Sequence, residues 1–445
     1  MRRTIIILLF FLTEFPCITK AQDTLFVNLP VQWSLEECIA YAKQNNISLT
    51  TLRLTTRSAE EDLLQAKAAV LPNLNGSVSQ SLIHSRIANP VTGNFQSHAN
   101  FSSGYGLNSS MILYQGGFLR NDIKSKQFSV QSANLSVKET ENSLTLSIAQ
   151  AYFNILLAKE IMVSSEAVLT TSQGQLTQGQ QRYDAGSISN KELLQLKAQV
   201  ATDQYNLINA TNNFKLNTVD LKQLLLLPTS FDFVAVTPDS IYIQQVFTAL
   251  PDAQNEAQLS RPEIKNKELQ IQLSQIELEK IKAATKPTIS LNAGFSTGFS
   301  DNQTSKYMPQ IQNNFYQSLG VNMDVPIYSR RVNKTNINKS MIQLQQSKLA
   351  LYETKTILNQ LVEQTYINLL NAQAQYRAAE IQLKTSEEIY RITNEQMKLG
   401  AVNTVELLQQ KNAYVQALQS YTQAKYTAAL YYKIYEFYRG IPLTF

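Results

Sequence analysis

Between residues 288 and 299 the chain alternates with a period of two. Ile289, Leu291, Ala293, Phe295, Thr297 and Phe299 are separated by Ser290, Asn292, Gly294, Ser296 and Gly298. The pattern returns at about 317–328, where Leu319, Val321, Met323, Val325 and Ile327 alternate with Ser318, Gly320, Asn322 and Asp324. Weaker versions fall at about 73–83 and 103–114. Period two puts alternate side chains on opposite faces of a strand. A strand of about ten residues, apolar on one face and small or polar on the other, is the signature of a membrane barrel. One such strand alone fits a soluble sandwich equally well. Four, set in hairpin pairs between long helical stretches, point to the membrane.

Elsewhere the period lengthens to that of helices, predicted at about 46–71, 118–184 and 189–227, then 263–285, 331–398 and 403–438. Leu369, Ala372, Tyr376, Ala379 and Leu383 step by three and four, as do Ile155, Ala158, Met162, Ser165 and Leu169. Heptad spacing of this kind specifies a left-handed coiled coil, with the small residues admitting close helix approach. These positions are read as packing seams, not as a cofactor site. A helix over 118–184 is roughly 100 Å long at about 1.5 Å per residue. The helices before and after it, laid end to end, nearly match that length. One long helix running down and two short ones running back is a consistent geometry, with 229–262 as a belt midway.

The two halves repeat each other at an offset of 214 to 215 residues. Lys67-Ala68-Ala69 and Pro72 return as Lys282-Ala283-Ala284 and Pro287. Gly106, Asn108 and Tyr114 return as Gly320, Asn322 and Tyr328. Gly186, Glu192-Leu193-Leu194-Gln195 and Lys197 return as Gly400, Glu406-Leu407-Leu408-Gln409 and Lys411. A register held from end to end is a duplication. The expected organisation is a first repeat over 22–228, a linker over 229–262 and a second repeat over 263–445.

The first 21 residues read as an export signal: Arg2 and Arg3, the apolar run Ile5 to Leu12, and a small-residue cleavage site ending at Ala21. Cleavage would lower the net charge from +5 to +3. Cys17 raises lipidation, against which Glu14-Phe15-Pro16 is a poor context. Cys38 is then the single mature cysteine, so no disulfide framework is expected. Beyond Ala21 no uninterrupted apolar run is long enough for a spanning helix. Only 14 Gly and 12 Pro among 445 residues suit long helices better than loop-rich domains. The mild, scattered positive charge carries no basic run suited to nucleic acid. Two His and one mature Cys make no metal cluster, no phosphate loop or nucleophile elbow is present, and no cofactor or catalysis is expected.

Four strands cannot close a barrel, and an open edge in lipid leaves backbone groups unpaired. The chain must therefore oligomerise. Three copies would supply twelve strands, although the pattern itself fixes only more than one.

The chain resembles the TolC family of outer-membrane efflux proteins over nearly its whole mature length. The resemblance is carried by Trp33-Ser34-Leu35-Glu36-Glu37 with Asn45-Asn46, by Arg261-Pro262-Glu263-Ile264, and by the joints Ile112-Leu113-Tyr114-Gln115-Gly116-Gly117 and Val325-Pro326-Ile327-Tyr328. The stretch Arg182-Tyr183-Asp184-Ala185-Gly186 with Glu192-Leu193-Leu194 adds to it. Arg330-Arg331 depart from the family, standing where a Gly pair is usual. The resemblance implies an α plus membrane β-barrel fold: a homotrimer sharing a barrel in outer-membrane lipid above a long helical periplasmic tunnel. It implies an exit duct for efflux or type I secretion, docked to a periplasmic adaptor and an inner-membrane pump, proton-driven or ABC. A periplasmic coiled-coil adaptor and a structural coiled-coil protein are the rival readings; neither explains the alternating strands.

The turns Tyr183 to Ile188 and Met397 to Val402 are expected at the periplasmic tip, with Gly186 and Gly400 at positive φ. By resemblance, adaptor hairpins grip Tyr183, Asp184, Gly186, Ser187, Lys398, Gly400 and Ala401. Glu192 and Glu406 each sit at the third residue of a helix behind Ser189 and Asn403, where capping alone explains them. Symmetry would also make Glu406 a ring at the pore constriction, selecting cations. In the family a second acidic residue follows a turn later; Gln409 holds that place here and weakens the expected selectivity. Asn322 and Asp324 lie on the small, polar strand face and are expected in the barrel lumen. His84 and His98 are expected in an external loop, Ile83 to Ser102.

Overall fold

The structure, a computed structural model, describes residues 30–88, 93–237 and 248–443. The expected signal segment, Cys17 and part of the linker lie outside these residues.

Ser34 starts the first helix with a reciprocal capping box to Glu37, and the chain pauses at Asn46, whose side chain caps the next. The helix expected from residue 46 is α2 (Ile47–Ala68), and an additional helix α1 (Leu35–Asn45) stands before it, itself preceded by a two-residue strand β1 (Gln32–Trp33). Strands β2 (Asn75–Ala88) and β3 (Phe95–Gln115) follow, then α3 (Phe118–Asp184) and α4 (Asn190–Leu225). After β4 (Val234–Ala235) the order returns: α5 (Leu250–Ser260), α6 (Pro262–Ala283), β5 (Thr288–Ser300), a short α7 (Tyr307–Asn313), β6 (Tyr316–Asp324), α8 (Val332–Lys398) and α9 (Thr404–Tyr438).

Several boundaries and elements differ from expectation. The external loop expected over 83–102 is mostly strand: Ser85 stands opposite His98 and Ala88 opposite Phe95, so both histidines lie within β2 and β3. The apolar alternation weakens beyond Leu82, but backbone pairing in a hairpin requires only register, so the ladder runs on. Strand β6 stops at Asp324, not 328, because Pro326 has no N–H to donate to a ladder. Helices α5 and α7, inside segments expected as belt and loop, carry patterns too short for the period to declare.

The four long strands form one antiparallel sheet in the order β2-β3-β5-β6, so that the two hairpins lie side by side. Leu107 pairs with Phe295 and Leu291 with Val321, extending one apolar face across the sheet. Gly106 pairs with Ser77 and Ser296, and Asn292 with Gly320, on the small, polar face. Val78, Leu82, Leu319 and Val321 are 70%, 72%, 77% and 67% exposed. In water that much uncovered apolar surface would be a liability; against lipid it is the covering.

Below the sheet α3 is the axis around which α2 and α6 pack at its upper half and α4 and α9 at its lower half. Arg53 to Glu141 at 3.1 Å and Lys126 to Asp62 at 2.8 Å tie α2 to α3. Midway, Trp33, Cys38, Ile148, Tyr152, Phe153, Leu156 and Leu221 form a core closed by β1 and β4, which pair in parallel. The Tyr152 hydroxyl lies 2.7 Å from Val236 O and 3.0 Å from Trp33 O, fixing that small sheet to the long helix. Burial pushes the Cys38 thiol up to about 12, leaving it inert. A smaller cluster around Val362, Leu369 and Tyr435 occupies the corresponding place on α8.

One stretch of α3 is apolar enough by length and composition to cross a bilayer, contrary to the expectation that no mature helix qualifies. Its apolar side chains are those of the midway core, from Ile148 to Leu156, packed against α1, α4 and α9. The apolar length reflects a helix buried on several sides rather than a lipid-facing span.

Candidate functional site: the helical tip

The far ends of the two helical hairpins converge on one tip. Helix α3 ends in a Schellman motif: Gly186 takes φ 74°, the Gly186 N–H donates to Tyr183 O at 2.9 Å and the Ser187 N–H to Arg182 O at 2.7 Å. Helix α8 ends identically, with Gly400 at φ 74° and the Ala401 N–H donating to Gln396 O at 2.9 Å. A Cβ at either glycine would strain the left-handed backbone. Tyr183, Asp184, Gly186, Ser187, Lys398, Gly400 and Ala401 are all exposed here. Leu399, beside them, is 85% exposed.

The two turns are joined by Arg182. Its guanidinium on α3 donates to Met397 O at 3.0 and 3.1 Å and to Lys398 O at 3.2 Å, engaging carbonyls of the last turn of α8, of which Met397 O also accepts the Gly400 N–H at 3.1 Å. A cation there also complements the helix dipole.

The two glutamates behind the turns differ in a way that their matching positions do not suggest. Glu192 is committed: its Oε2 accepts from the Ser189 N–H at 2.8 Å and hydroxyl at 3.0 Å, and the Thr404 hydroxyl lies 3.5 Å from Oε1. The Ser189 backbone N–H holds its carboxyl below the usual carboxylate range. At Glu406 the Asn403 side chain accepts from the backbone N–H at 3.0 Å. No reciprocal bond forms, and among the described residues the Glu406 carboxylate has no hydrogen bond or ion pair. It stands exposed, and so does Gln409 one turn on. Asn322 and Asp324 are far from this tip, on β6, sharing the small, polar sheet face with Ser290 and Thr288.

A few turns above the tip is a buried charge cluster outside the residues expected from the sequence. Lys411 of α9 is 1% exposed and Asp203 of α4 is 4% exposed, with Nζ to Oδ2 at 2.7 Å. The Ser172 hydroxyl of α3 contacts both, and Gln199 Nε2 donates to Asp203 Oδ1 at 3.0 Å and to Asn412 Oδ1 at 3.2 Å. Three helices are thereby fixed at one register. The signal was present: Asp203 lies one heptad from both Leu196 and Ala210, and Lys411 sits four residues after Leu407, so each charge occupies a seam position.

Comparison with known proteins matches the family model described as "Outer membrane efflux protein" to residues 38–225 and again to 253–430. The outer membrane efflux protein BepC of Brucella suis biovar 1 is 21% identical, over 88% of this chain and 82% of its own length. The cation efflux system protein CusC of Escherichia coli O6:H1 is 24% identical, over 91% of this chain and 84% of its own. A crystal structure of CusC superposes with a TM-score of 0.78 at 20% identity, covering 94% of this chain and 96% of that one. The duplicated match, the strand–helix order and the lipid-ready sheet agree: this chain belongs to the outer membrane efflux protein family, and is an exit duct of the cell outer membrane that extends into the periplasm.

Proposed function

We propose that three copies of the chain close one twelve-stranded barrel in outer-membrane lipid, continued by one helical tunnel. The observation that carries this is the four-stranded sheet whose outer strands, β2 and β6, have no partner among the described residues. In lipid an open edge leaves N–H and C=O groups unsatisfied at several kcal/mol each, so neighbouring copies must complete the wall. Three copies give a lumen too wide for side chains to fill, and the small, polar face with Asn322 and Asp324 lines it. The two duplicated units, 22–228 and 263–445 about the linker 229–262, then supply alternating segments of the wall.

At the other end the uncommitted Glu406 carboxylates of three copies form a ring at the constriction. Gln409 adds no charge to it, and Glu192 serves as a cap. The exposed turn residues from Tyr183 to Ser187 and from Lys398 to Ala401 dock a periplasmic adaptor, with Leu399 as the apolar anchor. That adaptor links the duct to an inner-membrane pump, proton-driven or ABC. The duct is passive and catalyses nothing. Purified protein in a planar bilayer is expected to conduct ions in stable steps; a protein extractable without detergent and silent in the bilayer would overturn the proposal in favour of a periplasmic coiled-coil protein.

A further inference from the structure

We infer the register in which β6 of one copy pairs with β2 of the next, an inference that rests on the closed ring proposed above. The duplication supplies it. Strand β3 becomes β6 on moving 214 positions, as Gly106 and Asn108 become Gly320 and Asn322. Strand β2 becomes β5 on moving 215, as Pro72 just before it becomes Pro287. The two hairpins obey both shifts, since Asn75 stands opposite Asn108 and Ser290 opposite Asn322.

The junction between the two repeats inside one chain is the antiparallel pair β3–β5, in which Asn108 meets Gly294 and Ser110 meets Asn292. The junction between copies is its counterpart, with β6 in the place of β3 and β2 in the place of β5. Applying the shifts sets Asn322 opposite Ser79 of the next copy, Gly320 opposite Ser81 and Asp324 opposite Ser77. On the other face Leu319 meets Leu82 and Met323 meets Val78. All nine residues of β6 then find partners within β2, which runs from Asn75 to Ala88.

The faces provide a check that did not enter the derivation. Because side chains alternate strictly, a slip of one residue would turn the whole apolar face of one strand to the polar side of the other. The inferred register sets Leu319 on Leu82 and Met323 on Val78, with Val321 opposite Gln80 between them, and joins Ser79 and Ser81 to Asn322 and Gly320 on the small, polar face. Had both strands moved by the same number of positions, the faces would have crossed. Alternation excludes every odd slip, and the duplication selects among the even ones.

Cysteine pairs across the junction test this in the full-length protein purified from outer membranes. Ser79→Cys with Asn322→Cys is expected to form disulfide on mild oxidation, giving a ladder of covalent dimers and trimers on denaturing gels. Each cysteine alone should give none, because Cys38 is fully buried. Ser79→Cys with Gly320→Cys or with Asp324→Cys, displaced by two residues, should crosslink about tenfold more slowly, since a disulfide tolerates only a narrow Cβ separation. Gly320→Cys with Ser81→Cys is the second in-register pair, should the first variant assemble poorly. Faster crosslinking at a displaced pair, or none at any pair in protein of trimeric mass, overturns the register and leaves the ring standing. Absence of crosslinks in protein of monomeric mass overturns the ring itself.

Discussion

Replacing Lys411 by Met removes the cation from a site where Asp203 is 4% and Ser172 2% exposed. Methionine fills the space of the aliphatic stem, so the change isolates the charge. Removing one partner of a buried ion pair costs about 3–5 kcal/mol, because the other charge is left uncompensated in a poor solvent for it. Asp203 keeps the Ser172 hydroxyl and the Gln199 amide at 3.0 Å, which places the loss near the lower end of that range. About 3 kcal/mol corresponds to roughly two powers of ten in a local opening equilibrium. Hydrogen–deuterium exchange of the amides flanking Ser172, Asp203 and Lys411 should accelerate by that factor, while the midway core around Tyr152 stays protected. Combining Lys411→Met with Asp203→Leu should restore most of the protection, since an apolar pair of similar volume is often no worse than the ions it replaces. Exchange in the single variant within about threefold of the parent would refute the view that this pair locks α9 to α3 and α4.

Three further outcomes follow from particular residues. Glu406→Ala should move the reversal potential measured across a salt gradient toward zero, and Gln409→Glu should move it away; no movement in either variant would reduce Glu406 to a passive surface residue. Arg330 and Arg331 hold φ of 48° and 70° where Gly116 and Gly117 hold 62° and 89° in the first repeat. A left-handed residue with a side chain costs about 1–2 kcal/mol and glycine returns part of that through its own entropy. Thermal melting in detergent should therefore rank Arg331→Gly above the parent and the parent above Arg331→Val, and the reverse order would remove strain from the account. Because the cap lowers the Glu192 carboxyl, its stabilisation is present above the unfolded carboxylate range and is lost as pH falls through the lowered folded value. Glu192→Gln should thus flatten the acid limb of tip stability, read by exchange at Asn190 to Leu194, and an unaltered limb would show that Glu192 contributes no charge-dependent capping.

Much of this architecture was legible because its signals are long. The strand alternation from Ile289 to Phe299 and a helical period sustained over the whole of α3 leave little room for another reading. Short elements were not legible. Helices α1 and α5 contain 11 residues each and α7 only 7, too few turns for a period to stand out from chance. The outward extension of β3 to Phe95 escaped because its alternation is weak, with Ser97 interrupting the row of Phe95, Ala99 and Phe101, and ladder pairing leaves no mark on composition. At the tip, the glycines announced the turns and the capping residues announced the helix starts. What separates Glu192 from Glu406 is invisible in their matching sequence positions: a serine hydroxyl and N–H engage one carboxylate, whereas Asn403 engages only the backbone of the other. Arg182 was legible as part of a motif but not as the cap of a helix more than 200 positions away, since that contact exists only once both hairpins are folded. Asp203 and Lys411 each interrupt an apolar seam, and such an interruption reads as a pair only when the two seams are known to face each other.

The edges of β2 and β6 bear the weight of the whole account, and native mass spectrometry of the detergent-solubilised protein addresses them directly. A species of three times the mature chain mass, conserved down to protein concentrations at which weak dimers fall apart, is the predicted result. A single-chain mass in protein that retains its strand content would mean that the sheet satisfies its own edges, and would contradict the duct.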